Sequence, residues 1–514
     1  MKRRILCMLL ALVLFVLPLW SCDVADEDEG GDGGGIGEDG SVNWDDVDFE
    51  GATLRFGVSV SKTSGGTFKP AKEYLTGPDG STTDEVLKKV KTRNVKVEKD
   101  LNMKVEYVEL TADSYDKAQE EIATLVRGAS TDTPDIYTND MRAFTFALLE
   151  GQLMNVASPQ TKSGEEITSY FDFTNSAWNY NFMSEMTFDP NKVYVLAGEF
   201  HIDMIRMAQV IFVNKTMFDQ NASVLGYADT NTFYRYVKAG DWDYDRLVSM
   251  SKSIWQDDGT VKNKADLGDS RVGFICTERL YFNFGPSTGV TTYYMDEDGV
   301  PRFIDSIDEM NRMGNKLRQI WSLTGQGCGD GIFCQSGLDC IDAFTEANVL
   351  FAPATLGELE SSELRSAKFE KGLVPYPKYD YKRQDAYHTM IEMYAELSAI
   401  LANAPSFTRA SAYLQYANEN SSAVLTEYYE FSLKFKYNED PSIRSMIDLI
   451  YETIDSPFGI WFESVIQSSV TLTGTYNNLH HAIASNALSA FYDSNAEALR
   501  TGLATTMAKF ATVK

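Results

Sequence analysis

Residues 83–110 read TDEVLKKVKTRNVKVEKDLNMKVEYVEL, and the change of period inside them decides the fold. In the first part Val86, Leu87, Val90, Val95 and Val97 recur at roughly helical spacing, and Asp84 stands where a cap belongs. From Met103 to Leu110 apolar and polar side chains alternate, which is the period of a half-buried strand. Upstream, 52–59 (ATLRFGVS) reads as another strand. Downstream come a helix at 114–126, a short buried strand at 134–137 and a helix at 141–149 stopped by Gly151. Strand, helix, strand, helix, strand is the order of an α/β lobe with a mainly parallel sheet.

At 514 residues the chain is too long for one core, so a second lobe is expected. Strands at 193–198 and 207–213 lead out of the first lobe, and 225–254 holds helices around Trp242. A helix follows at 304–321. Strands at 347–351 and 372–375 are expected to return to the first lobe. The segment 390–430 reads as mostly helical with a break at Pro405, and 442–454 and 487–510 close the chain as helices. The acidic turns at 257–259 and 296–299 lack the spacing of an EF-hand.

The other end of the chain carries a different signal. Lys2, Arg3 and Arg4 precede an apolar run from Ile5 to Trp20, and Leu19-Trp20-Ser21-Cys22 follows. Basic start, apolar middle and small residue before a break make a secretory signal. The tetrapeptide resembles the bacterial lipoprotein signal, in which the cysteine is lipidated, although Trp20 stands where that signal has a small residue. Residues 23–50 hold twelve acidic side chains, many glycines and no Lys or Arg. Such a composition reads as a flexible tether. The net charge of −28 makes nucleic acid a poor partner and argues against a polybasic grip on anionic lipid. Besides Cys7 and Cys22, the cysteines are Cys276, Cys328, Cys334 and Cys340. In an exported protein an even set suggests at least one disulfide. Reduced thiols and, less readily, a metal site are the alternatives, because C-x5-C-x5-C lacks short zinc spacing.

Several ordered stretches resemble the extracellular solute-binding proteins of the carbohydrate ABC-importer group, the family of maltose-binding protein. Arg93-Asn94 through Met103-Lys104-Val105 is similar to that family's helix-to-strand entry, and Pro134-Asp135-Ile136-Tyr137 to its third strand. Phe212-Val213-Asn214-Lys215-Thr216-Met217-Phe218 resembles its entry into the second lobe. Val237 to Asp245, Gly372 to Tyr379, and Tyr428-Tyr429-Glu430 with Tyr437 and Asp440 resemble further segments. The resemblance covers about residues 50–470. The cysteine-rich stretch at 328–340 and the long N-terminal tether depart from it. It implies an α/β, periplasmic-binding-protein-like fold, with two α/β lobes, a hinge and an interlobe ligand cleft. The expected plan is a signal peptide at 1–21, a tether at 22–50, one lobe from 51–205 plus 346–400 and the other from 206–345 plus 401–514.

The resemblance also implies a function: a monomeric, lipid-anchored binding protein on the extracytoplasmic face of the cell membrane, delivering a sugar or oligosaccharide to an ABC permease. No cofactor or metal is implied. A sugar site needs aromatic faces and hydrogen-bonding side chains. Three loop-like stretches mix the two: Trp178-Asn179-Tyr180, Tyr281-Phe282-Asn283-Phe284, and Tyr387-His388. Asn139 and Asp140 follow the third strand at the end where ligands gather in open α/β sheets. Cys22 is the expected lipidation site. No H-E-x-x-H, G-x-S-x-G or P-loop is present, so an enzyme is not expected. His480-His481 reads as a polar helix surface. The alternatives are a surface glycan-binding or adhesion lipoprotein, a transported peptide or sugar phosphate, and a glycoside hydrolase built on one of many carboxylate pairs.

Overall fold

Asp84 caps the helix Glu85–Asp100, its side chain accepting from the backbone N–H of Val86 and Leu87. That helix connects β1 (Thr53–Val58) to β2 (Lys104–Glu109), which pair in parallel from Thr53 opposite Lys104 to Val58 opposite Glu109. The computed structural model describes residues 33–37, 40–59, 72–128, 133–161, 163–259, 267, 269–277, 284–320, 331–335, 338–346, 348–392, 394–436, 441–455, 458–469, 482–483 and 485–513. Cys22, Cys328, Tyr281, Phe282, Asn283, His480 and His481 lie outside these residues. Among the described residues no helix is long and apolar enough to cross a membrane.

Two sheets organise the chain. In the first, β3 (Ile136–Asp140) lies parallel to β1, and the strand order is β12-β3-β1-β2. In the second, β4 (Gln209–Asn214), β5 (Arg271–Thr277), β8 (Ile332–Gln335), β9 (Asn348–Thr355) and β10 (Lys371–Pro375) take the order β10-β4-β9-β5-β8. A hairpin, β6 (Tyr293–Met295) with β7 (Pro301–Phe303), stands outside both sheets. So does β11 (Thr389–Met390), which runs parallel to β13 (Ile454–Asp455) where the chain passes between lobes. Each sheet has its own core. Leu54, Phe56, Ile136 and Leu397 belong to the first, and Val210, Phe212, Phe274 and Phe351 to the second.

The lobe boundaries differ from the expected plan. β9 and β10 join the second sheet, β9 pairing with β4 and β5, and β10 with β4. The strand that returns to the first sheet is β12 (Glu396–Ala399), antiparallel to β3, inside a stretch expected to be helical. The helices Phe407–Glu419 and Phe458–Ser468 pack in the first core, not the second. Strand identity is local, but sheet membership is set by pairing between distant segments, which the pattern does not encode. The stretch 193–198 makes only isolated bridges, at Leu196 and Gly198.

The N-terminal segment is seated rather than free from residue 33 on. Trp44 stacks on Tyr170 and tilts against Tyr416, and its indole N–H donates to Glu419 Oε2 at 2.9 Å. Val47 and Phe49 are buried, and Tyr170 Oη donates to Gly34 O at 2.6 Å. Gly33 has φ of 67°, and a Cβ there would fall on the Phe49 ring. Acidic composition dominates the average, but three apolar side chains suffice to dock the segment. No disulfide joins the described cysteines to one another: Cys276, Cys334 and Cys340 are buried, and Cys328 lies outside the described residues. Cys276 and Cys334 face each other in register across β5 and β8.

Candidate functional site

The parallel strands β1 and β3 end where β4 begins and β9 ends, and charged side chains converge there. Asp140 closes β3 opposite Glu396 on β12. Arg142 pairs with Asp140 at 3.2 Å while its guanidinium lies over the Tyr394 ring. Burial raises the Asp140 carboxyl, and Arg142 opposes that shift. Glu396 is fully enclosed. Burial first, then the Asp203 charge, pushes its carboxyl well above the usual range. Its Oε2 has no hydrogen-bond partner among the described residues. Arg206, also enclosed, donates to Asp203 Oδ1 at 2.8 Å and Glu360 Oε1 at 3.1 Å. Burial works against the Arg206 charge, but Glu360 and Asp203 outweigh it and hold the guanidinium protonated. Tyr74 and Tyr428 both donate to Glu360. This cluster ties the segment 203–208, which leaves the first lobe, to the 3-10 helix Leu356–Glu360 that follows β9 in the second.

A cavity opens beside the hairpin. Gly285, Pro286 and Val290 after β5, with Met310 and Met313 of the helix Asp308–Leu317, form the second-lobe side. Gly459, Ile460 and Glu463 of the helix Phe458–Ser468 form the side backed by the first core. Thr291, Thr292 and Ile483 complete it. Its volume of about 30 Å³ holds one water-sized group. Among the described residues, Glu463 is the only ionisable side chain in the lining. Its Oε1 accepts from Thr292 Oγ1 and from Gln467 Nε2, each at 3.1 Å. Burial pushes the carboxyl up to about 7, with these two hydrogen bonds working the other way. An aliphatic wall with hydroxyls and one carboxyl suits a ligand that offers both C–H faces and hydroxyl groups.

The residues picked out in the sequence fall in several places. Asp140 sits in the strand-edge cluster. Asn139 is buried within the first sheet, its Oδ1 accepting from Asp140 N. Trp178 does not present a stacking face. It is buried between Phe171 and Phe173, with its indole N–H donating to Gln415 Oε1 at 2.8 Å. Asn179 caps the helix Tyr180–Glu185, and Tyr180, 39% exposed, donates to Pro190 O. Phe284 packs in the second core against Tyr244, Phe274 and Tyr376. Tyr387 is buried there too, its hydroxyl donating to Val237 O. His388 Nδ1 meets Asp455 Oδ2 at 2.6 Å, bracing the β11–β13 crossing. Trp178, Phe284 and Tyr387 are therefore packing residues in this structure. Glu463, Glu396 and Arg206 went unremarked in the sequence. Glu463 has one faint signal, a lone acid inside the apolar run FGIWFESVIQS at 458–468.

No protein-family model matches the chain, and no curated protein matches it by sequence. Its shape does find counterparts. The galacto-N-biose-/lacto-N-biose I-binding protein of the ABC transporter from Bifidobacterium longum, in complex with lacto-N-biose, aligns with a TM-score of 0.54 at 11% identity, over 90% of this chain and 98% of that one. The chain has the fold of a solute-binding protein. An uncharacterized protein from Listeria monocytogenes EGD-e aligns with a TM-score of 0.51 at 13% identity, over 88% of this chain and 99% of that one. A family 1 extracellular solute-binding protein from Bifidobacterium longum subsp. infantis gives a TM-score of 0.47 at 15% identity, over 90% and 99%, too low to carry an argument. In the solute-binding fold two α/β lobes flank a cleft. Here the strand-edge cluster and the Glu463 cavity both lie between the two cores.

Proposed function

We propose that the chain is a lipid-anchored, extracytoplasmic binding protein that captures a sugar or oligosaccharide between its lobes and hands it to an ABC importer. The observation that carries this reading is the cavity between the two cores, with an aliphatic wall and hydroxyl-matching groups at Thr291, Thr292 and Glu463. The solute-binding fold supports it, because hinge closure around a ligand is how two-lobed proteins of this shape act. A volume of about 30 Å³ is too small for a sugar ring, so the lobes must part to admit one. The lipobox-like Leu19-Trp20-Ser21-Cys22 supports the anchor.

Calorimetry against neutral mono- and oligosaccharides, lacto-N-biose I included, tests the binding step. Saturable heat with at least one sugar is expected; a flat response across the panel would overturn the reading. Mass spectrometry of the N-terminal peptide tests the anchor, and an unmodified Cys22 would remove it.

A further inference from the structure

Glu463 is an acid enclosed at the junction of the lobes with no cation in the described lining of its cavity. The described lining of its cavity contains no Lys, Arg or His. Among the described residues, cations of the neighbouring elements are engaged elsewhere: Arg312 with Glu309 and Lys316 with Asp245 on the helix Asp308–Leu317, and Lys509 with Glu150 on the helix Leu488–Phe510. The Tyr293 hydroxyl donates to Leu499 O, Arg318 Nη1 donates to Ile483 O, and Arg142 is held by Asp140. Glu185 is another acid, its Oε2 accepting from Phe458 N at the start of the same helix. Both described hydrogen bonds to Glu463 fall on Oε1. Oε2 carries no described bond, although the side chain lines the cavity.

We propose that Glu463 is the specificity-determining residue of this cavity: it pairs through Oε2 with a hydroxyl of a neutral ligand and bars ligands that place a carboxylate or phosphate there. This rests on the reading that the cavity receives a sugar. The physical reason is the environment. An ionised Glu463 pays a desolvation penalty that the hydrogen bonds from Thr292 and Gln467 offset only in part, so burial keeps its proton to about pH 7. A protonated carboxyl donates one hydrogen bond and still accepts, which matches a sugar hydroxyl in either direction. A second anion in the same space finds no cation in the described lining and faces an acid that can ionise against it.

The test uses the full-length protein, the variant Glu463→Gln, and calorimetry with neutral probes (galactose, N-acetylglucosamine, lacto-N-biose I) and anionic ones (galacturonic acid, galactose 6-phosphate). For the wild type, affinity for whichever neutral probe binds should stay level below pH 7 and fall about tenfold per pH unit above it. Glu463→Gln, which keeps the shape and one donor, should bind that probe within about threefold and lose the pH dependence. The anionic probes should bind the wild type at least about 100-fold more weakly than their neutral counterparts. Neutral binding that is indifferent to pH, or anionic probes binding as well as neutral ones, would overturn the inference while leaving the sugar-binding reading standing. Absence of binding to every probe would overturn that reading instead. A ligand-free measurement separates the two further: carbon-13 NMR of the Glu463 carboxyl should show titration near neutral pH, and a midpoint in the ordinary glutamate range would overturn the inference alone.

Discussion

Arg206 donates through Nε to Glu360 Oε1 across 3.1 Å, joining the segment that leaves the first lobe to the 3-10 helix Leu356–Glu360 that follows β9 in the second. Both side chains are withdrawn from solvent, and Asp203 completes the group. Removing one partner of such a set strands the others as buried charges, which costs about 3–5 kcal/mol. Arg206→Leu should therefore lower unfolding free energy by about that much. The triple change Arg206→Leu, Asp203→Asn, Glu360→Gln should recover most of the loss, because no buried charge is left unpaired. Urea denaturation measures both. A single variant that loses less than about 1 kcal/mol would show that the pair is not desolvated as described.

Trp178 is linked through Gln415 and Glu419 to the indole of Trp44, so two tryptophans share one hydrogen-bonded chain in the first lobe. Trp178→Ala removes a large buried side chain and one of the two donors to Gln415 Oε1, the other being Asp172 N. The expected destabilisation is about 3–5 kcal/mol. Affinity for a neutral sugar that binds the wild type should be unchanged in the fraction that stays folded. Thermal melts and calorimetry on the same sample decide this. A sharp loss of affinity with an unaltered melting temperature would return Trp178 to the ligand site.

His201 makes stability depend on pH. The ring is fully buried, with Nε2 2.8 Å from Ser398 Oγ. Burial, helped by the Arg93 charge, brings its pKa down to about 3. A pKa below the unfolded value of about 6.5 means the native state excludes a proton that the unfolded chain takes up. The contribution is complete above about pH 6.5 and is lost as pH falls, by about 1.4 kcal/mol per unit down to about 3. Buried carboxylates titrate in the same region, so the measurement is a difference. Between pH 6.5 and 4.5 the wild type should lose stability more steeply than His201→Gln. Parallel slopes would mean that His201 is already charged or already solvated.

The local elements of the fold are legible because they rest on local physics. The Asp84 cap, the helical period after it and the alternation from 103 to 110 all reappear as the helix Glu85–Asp100 and β2. Sheet membership of β9 and β10 is not legible, since either could pair with any open edge and only the assembled second sheet selects one. Trp178 misleads for a related reason: its indole partner, Gln415, lies 237 residues away. Glu463 is one acid among 74 Asp and Glu, and only the cavity around it sets it apart. Composition hides the docking of 33–50, because five glycines and the acids outweigh Trp44, Val47 and Phe49 in any average.

Gly459 gives the cavity its depth. A Cβ there would lie inside van der Waals contact with Tyr293 O and 2.9 Å from Thr291 Cβ. Tyr293 begins β6 and its backbone carbonyl accepts from Thr291 Oγ1 at 2.7 Å; as a main-chain atom the oxygen has no rotamer through which to retreat. Gly459→Ala should therefore force the hairpin away from the helix Phe458–Ser468. The expected cost is about 1–3 kcal/mol, as for overpacking elsewhere. Because Thr292 moves with Tyr293, its hydrogen bond to Glu463 should weaken, and affinity for a bound neutral sugar should fall. Gly80→Ala is the control, since nothing lies within 4 Å of its new Cβ. Melting temperature and sugar affinity measured on both variants check the argument. If Gly459→Ala matches Gly80→Ala in both, the close approach of helix and hairpin is not what shapes the cavity.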